Sequence, residues 1–185
     1  MRILCFGDSN TYGFDPRSCL GDRYPAEIRW PERLAALTGW QVRNEGLNGR
    51  EIPHRPGELA RAAALIAGGP WDAAVILLGD NDLLQGCSPE EVSARMERFL
   101  EHLGDAPVLL IAPPPMTAGT WVTEARLLPD SRQLAAGYRD LAERLGIRFA
   151  AAAGWGIETL FDGVHFSEAG HRVFAEKIRR ELEAF

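Results

Sequence analysis

The run of six apolar residues from Ala73 to Leu78 constrains the fold of this chain more than any other stretch. A strand that is apolar at every position cannot leave one face in water, so it belongs to a sheet covered on both faces, the habit of parallel strands flanked by helices. Shorter or weaker runs of strand length lie at Arg2 to Gly7, Gln41 to Leu47, Ala106 to Ala112 and Ile147 to Ala152. Between them the period changes to that of a helix. Pro31 to Thr38 opens on proline and stops at Gly39, Pro56 to Ala67 stops at Gly68-Gly69, and about Asp130 to Leu145 stops at Gly146. Ser88-Pro89-Glu90-Glu91 is a helix start with a serine cap and a capping-box glutamate, followed by a buried stripe of Val92, Met96, Phe99, Leu100 and Leu103. Ser167 to Glu183 closes the chain. Strand and helix in regular alternation predict an α/β fold, a three-layer α/β/α sandwich with a five-stranded parallel sheet, and right-handed crossovers favour the flavodoxin-like order 2-1-3-4-5.

The 185 residues show no Pro/Gly/Ser-rich linker or internal repeat, so residues 1–185 are expected to form a single domain. A net charge of −6 with scattered Lys and Arg argues against a nucleic-acid partner, because phosphate binding needs a basic face. The amino terminus has too few apolar residues for a signal peptide or a membrane span, which predicts a cytoplasmic protein without a membrane partner. Three cysteines, Cys5, Cys19 and Cys87, have no metal-ligand spacing and fit a reducing compartment, with Cys5 in the core.

In a parallel sheet, ligands bind at the carboxyl ends of the strands. Four polar stretches fall there: Ser9 after the first strand, Gly49 after the second, Asn81 after the third, and Asp162 with His165 after the fifth. Singly each has a plain structural role. Ser9 can cap a helix, Gly49 and Asn81 can shape turns, and Asp162 with His165 can be a surface pair. Together they hold the parts of acyl transfer from an ester. A serine hydroxyl is a weak nucleophile until a base takes its proton, histidine is the usual base near neutral pH, and a carboxylate fixes its tautomer. Asp162-Gly163-Val164-His165 puts carboxylate and imidazole on one turn. The backbone N–H groups of Ser9 and Gly49 and the side-chain amide of Asn81 are candidate donors to the oxyanion.

Gly7-Asp8-Ser9-Asn10, Gly49, Gly79-Asp80-Asn81-Asp82 and Asp162-Gly163-Val164-His165 resemble the four sequence blocks of the SGNH hydrolase superfamily, also called the GDSL esterase/lipase family. The resemblance implies Ser9 as nucleophile, His165 as base, Asp162 as its orienting carboxylate, Gly49 and Asn81 as oxyanion donors, the flavodoxin-like SGNH-hydrolase fold, and no metal or other cofactor. Arg2 to Gly13, the Arg29-Trp30 pair, Asn44 to Leu47 and Ala112 to Pro115 are similar to the arylesterase and acyltransferase branch, whose members often associate as homo-oligomers. Asn10 stands where the family name has leucine. Asp80 stands where threonine is commoner, and it is expected to point away from Ser9, since an inward carboxylate would oppose the developing charge.

The expected reaction is hydrolysis of a small-molecule ester through an acyl-serine, with short acyl groups on small alcohols, phenols or sugars. Whether an alcohol competes with water for the acyl group stays open. Tyr12, Trp30, Trp121, Trp155, Phe161 and Phe166 are the candidates to line the substrate pocket, Tyr12 first among them. Asp8 and Asp82 are read as fixing their own turns, and His54, His102 and His171 as surface or structural, with His171 placed to support His165 from behind. Two rival readings use the same residues: a metal-dependent phosphoesterase built on Asp8, Asp80, Asn81, Asp82 and His165, and a noncatalytic flavodoxin-like binding module.

Overall fold

The computed structural model describes residues 1–18 and 22–184; Cys19, named above, lies outside the described residues. Five strands, β1 (Arg2–Gly7), β2 (Gln41–Gly46), β3 (Ala73–Leu77), β4 (Val108–Ala112) and β5 (Arg148–Ala151), form one parallel sheet in the order β2-β1-β3-β4-β5. The register brings their carboxyl ends into line: Gly7 lies opposite Gly46 on one side and Leu77 on the other, and Ala112 lies opposite Ala151.

Side-chain alternation divides the core into two layers. Leu4, Phe6, Ala74, Ile76 and Leu110 face a layer covered by α3 (Pro56–Ile66), α5 (Pro89–Leu103) and α6 (Leu127–Leu145). Ile3, Cys5, Val75, Leu109 and Ile111 face α2 (Trp30–Thr38) and α7 (Glu168–Glu183). The predicted caps are in place: Ser88 Oγ accepts from the Glu91 N–H while the Glu91 carboxylate accepts from the Ser88 N–H, and Ser167 Oγ accepts from the Gly170 N–H. Helix α6 begins at Leu127 rather than near Asp130. Pro129 is only its third residue, in the turn where the N–H groups have no intrahelical partner, so the proline is tolerated. Two one-turn helices, α1 (Ser9–Tyr12) and α4 (Asp80–Leu84), were not anticipated, since four or five residues carry no readable period. No helix among the described residues is long and apolar enough to cross a membrane.

One close contact positions the rim. The backbone of Thr11 and Tyr12 in α1 lies against Gly46 at the end of β2, where any side chain would collide with main chain. That glycine lets the helix carrying Ser9 rest directly on the sheet edge.

His171, on α7, is fully buried with its ring edge-on to Tyr24 at 5.2 Å and Phe166 at 5.5 Å. Neither ring nitrogen has a hydrogen-bond partner, so it lends no bond to His165. Burial, with the nearby positive charges of His165, Arg29 and Arg33, depresses its pKa to about 3. The folded state therefore holds a neutral imidazole that the unfolded chain protonates below its ordinary pKa near 6.5. The stability contributed at neutral pH is lost as pH falls from about 6.5 toward 3, at up to about 1.4 kcal/mol per pH unit. His171→Leu is expected to flatten that slope. Urea midpoints at pH 7 and pH 4.5 measure it, and an unchanged difference between the two would count against this origin.

Candidate active site

Ser9 begins α1 directly beyond β1. Asp8 Oδ1 accepts from the Asn10 N–H at 2.9 Å and caps the turn, as expected. The adjacent Asn10 side chain spans to the far end of the sequence: its Nδ2 donates to the Val164 carbonyl at 3.2 Å, and its Oδ1 accepts from the Phe166 N–H at 2.9 Å. One amide thus grips the backbone on both sides of His165. Leucine, the residue in the family name, could make neither bond. Asn10→Leu is expected to cost roughly 2–4 kcal/mol of stability, because a buried N–H and a buried C=O lose their partners. Chemical denaturation measures the loss, and a change below about 1 kcal/mol would show the clamp to be dispensable.

The loop after β5 folds around Asp162. Its Oδ1 accepts from the backbone N–H groups of Val164 and His165, both at 2.9 Å, and its Oδ2 lies 2.7 Å from His165 Nδ1. Burial raises this carboxyl's pKa, but the His165 bond and the two N–H bonds outweigh burial and hold it below the ordinary carboxylate range. Gly163 sits at φ 83°, and its missing side chain makes room for the Thr117 carbonyl. The 117–122 segment is stitched to the loop there, Thr117 N–H to Gly163 C=O at 2.9 Å and Trp121 N–H to Asp162 C=O at 3.1 Å.

His165 Nε2 lies 2.9 Å from Ser9 Oγ. With Asp162 accepting at Nδ1, the neutral ring carries its proton on Nδ1 and presents a lone pair at Nε2 to the serine hydroxyl. Phe14 and Trp121 flank the imidazole, each with its ring centre 4.8 Å away, and leave it 1% exposed.

Beside Ser9 and His165 opens a cavity of about 360 Å³ whose wall includes Gly49 and Asn81, with apolar surface from Phe14, Leu84 and Trp121. Arg50 holds the Gly49 turn. Its guanidinium lies over the Phe6 ring at 4.2 Å and donates to the carbonyls of Gly7, at 2.9 Å, and of Glu45. Its own carbonyl accepts from Asn81 Nδ2 at 3.0 Å. That bond uses one of the two amide protons of Asn81 and leaves the other for a ligand.

Not every expectation fits this arrangement. Tyr12 is not in the cavity wall; its ring lies under the Arg23 guanidinium at 4.2 Å, because Gly13 in a left-handed turn reverses the chain and delivers Phe14 to His165. Trp30 is fully buried against Phe174 in the layer between α2 and α7, and Phe166 is core as well. Trp155 packs on Phe174, and Phe161 is exposed outside the wall. Of the aromatic candidates only Trp121 faces the cavity. Asp82 does not fix its own turn: it accepts from the Ile52 N–H at 3.0 Å and pairs with Arg95 at 2.8 Å, so it anchors the loop that follows Gly49.

Asp80 is buried outside the cavity wall with one carboxylate oxygen unpartnered. Burial first, then the charges of Asp8 and Asp82, push its pKa well up. Asp8 is itself raised to about 6 by burial, against the lowering effect of the Asn10 N–H bond and the charges of His165 and Arg50. Among the described residues no three His, Cys, Asp or Glu side chains are grouped to hold a metal ion.

A serine hydroxyl bonded to an imidazole, itself bonded to a buried carboxylate, beside a cavity with amide donors in its wall, is the arrangement of a serine hydrolase. Residues 5–173 match the GDSL-like Lipase/Acylhydrolase family, and the chain belongs to it as a carboxylic ester hydrolase of the SGNH type. Est24, a carbohydrate acetylesterase from Sinorhizobium meliloti, superposes with a TM-score of 0.86 at 26% identity, covering 100% of this chain and 99% of its own. An aryl esterase from M. smegmatis superposes with a TM-score of 0.83 at 25% identity, covering 99% of this chain and 98% of its own. No curated protein matches the chain by sequence.

Proposed function

We propose that the protein hydrolyses short acyl esters of small alcohols, phenols or sugars through an acyl-enzyme on Ser9. As Ser9 Oγ bonds to the ester carbonyl carbon, its proton passes to His165 Nε2, and Asp162 stabilises the imidazolium that forms. The N–H groups of Ser9 and Gly49 and the free amide proton of Asn81 receive the oxyanion. When the intermediate collapses, the bond to the alcohol oxygen breaks and His165 returns the proton to it. Water then repeats both steps on the acyl-serine and releases the acid; an alcohol taking its place gives acyl transfer.

The observation that carries this reading is the unbroken chain from Asp162 Oδ2 through His165 to Ser9 Oγ, at 2.7 and 2.9 Å, buried and ending at a cavity. The acetylesterase and aryl esterase neighbours support the choice of short acyl and aryl esters. Turnover of 4-nitrophenyl acetate at the same rate with and without excess chelator is the expected result. Loss of ester turnover on chelation would favour the metal-dependent phosphoesterase.

A further inference from the structure

The concave surface beside Ser9 continues past Gly49. On the other side of that glycine a trough of about 440 Å³ runs between the end of β2 and α3, and Gly49 belongs to the wall of both. Its apolar lining comes from Ala62, Leu65 and the exposed Leu47, with Phe6 beneath the Arg50 guanidinium. Glu58, Arg61, Ala62 and Leu65 recur at spacings of three and four, so one face of α3 supplies the far wall.

The charges around the trough do not cancel. Arg50, Arg55 and Arg61 border it against Glu51 and Glu58. Glu51 is paired with Arg95 at 2.8 Å, and Glu58 with Arg55 at 3.2 Å, while the Arg55 N–H also donates to Glu58. Arg50 is turned inward onto the carbonyls of Gly7 and Glu45. Arg61 spends only its Nε proton, on the Gly57 carbonyl at 3.0 Å, and among the described residues no carboxylate is paired with it. An apolar lining bordered by an exposed guanidinium that no carboxylate pairs with suits a flat or ring-shaped group that ends in an anion.

We propose that this trough receives the alcohol part of the substrate, and that the alcohol carries a carboxylate on an aryl or sugar frame, with Arg61 as its counter-charge. The inference rests on the reaction proposed above. With a short acyl group, only the alcohol is long enough to pass Gly49, whose N–H holds the carbonyl oxygen at the junction of the two cavities.

The test compares kcat/KM for 4-acetoxybenzoate and for its neutral analogue 4-acetoxybenzamide, each divided by its hydroxide-catalysed rate. The protein is expected to prefer the carboxylate about tenfold at low ionic strength, with the preference shrinking toward unity near 0.5 M salt, as for an open ion pair. Arg61→Gln should bring the ratio close to one and Arg61→Glu should invert it. Both esters are read on the same preparation, so partial loss of folded protein does not move the ratio. No preference in the unaltered protein, or a preference that survives Arg61→Glu, would overturn the assignment. Failure to turn over either ester and 4-nitrophenyl acetate as well would instead overturn the underlying reaction, and the trough's role with it.

Discussion

Ser9→Ala is expected to lower kcat for an acetyl ester by roughly 10⁵- to 10⁶-fold, the scale on which removal of an activated serine acts when the rest of the site is intact. The hydrogen bond of Ser9 Oγ in this site is the one to His165 Nε2, and Asp8, not Ser9, caps α1. Its removal therefore leaves the helix, the Asn10 clamp and the Asp162 turn in place. Stability should change by less than about 1 kcal/mol. Steady-state turnover of 4-nitrophenyl acetate, with thermal unfolding as the check on folding, separates a lost nucleophile from a lost fold. A variant that keeps more than a few per cent of the activity would contradict the role.

Asp162→Asn is expected to cost about 10⁴-fold in kcat, for a reason specific to this turn. The N–H groups of Val164 and His165 both point at Oδ1, so an asparagine must keep its oxygen there and place its NH₂ where Oδ2 stands. That NH₂ would face His165 Nδ1, two donors cannot share a bond, and the ring would answer by moving its proton to Nε2. Nε2–H cannot then accept the Ser9 proton. The same substitution bears on stability. Because the Asp162 carboxyl is held below its ordinary pKa, its contribution is present above the unfolded value near 4 and is lost as pH falls through the lower folded value. The asparagine variant should lack that part of the acid dependence. Nitrogen-15 shifts of His165 in both proteins report the tautomer directly, and an unchanged tautomer with full activity would refute the argument.

The large features of this fold are written in residue types that act locally. The apolar run at Ala73 to Leu78 has one solution, a strand covered on both faces, and β3 is buried along its whole length. Ser88 and Glu91 close their capping box because both partners lie within one turn. The four polar stretches could be placed on one rim because a parallel sheet aligns all its carboxyl ends, whatever the loops do.

What could not be read depends on direction within those loops. Tyr12 is the pocket residue expected from the sequence and Phe14 is not among the candidates; the left-handed turn at Gly13 brings Phe14 to His165 instead. Trp30 is adjacent to a loop in sequence but faces the α2 and α7 layer, where its size fills the core. The reach of Asn10 to both sides of His165 depends on a contact 154 and 156 residues distant, which no local pattern encodes. The trough beyond Gly49 was equally invisible, because Arg61 looks like any solvated helix arginine until its neighbours' charges are seen to be spent elsewhere.

The most direct test is to label the protein with a fluorophosphonate and map the adduct by mass spectrometry. The account predicts one stoichiometric adduct, on Ser9 within the tryptic peptide 3–17, that forms more slowly while excess ester substrate is present and is abolished in His165→Gln. A protein that turns over esters yet carries its adduct on another residue, or carries none, would contradict it.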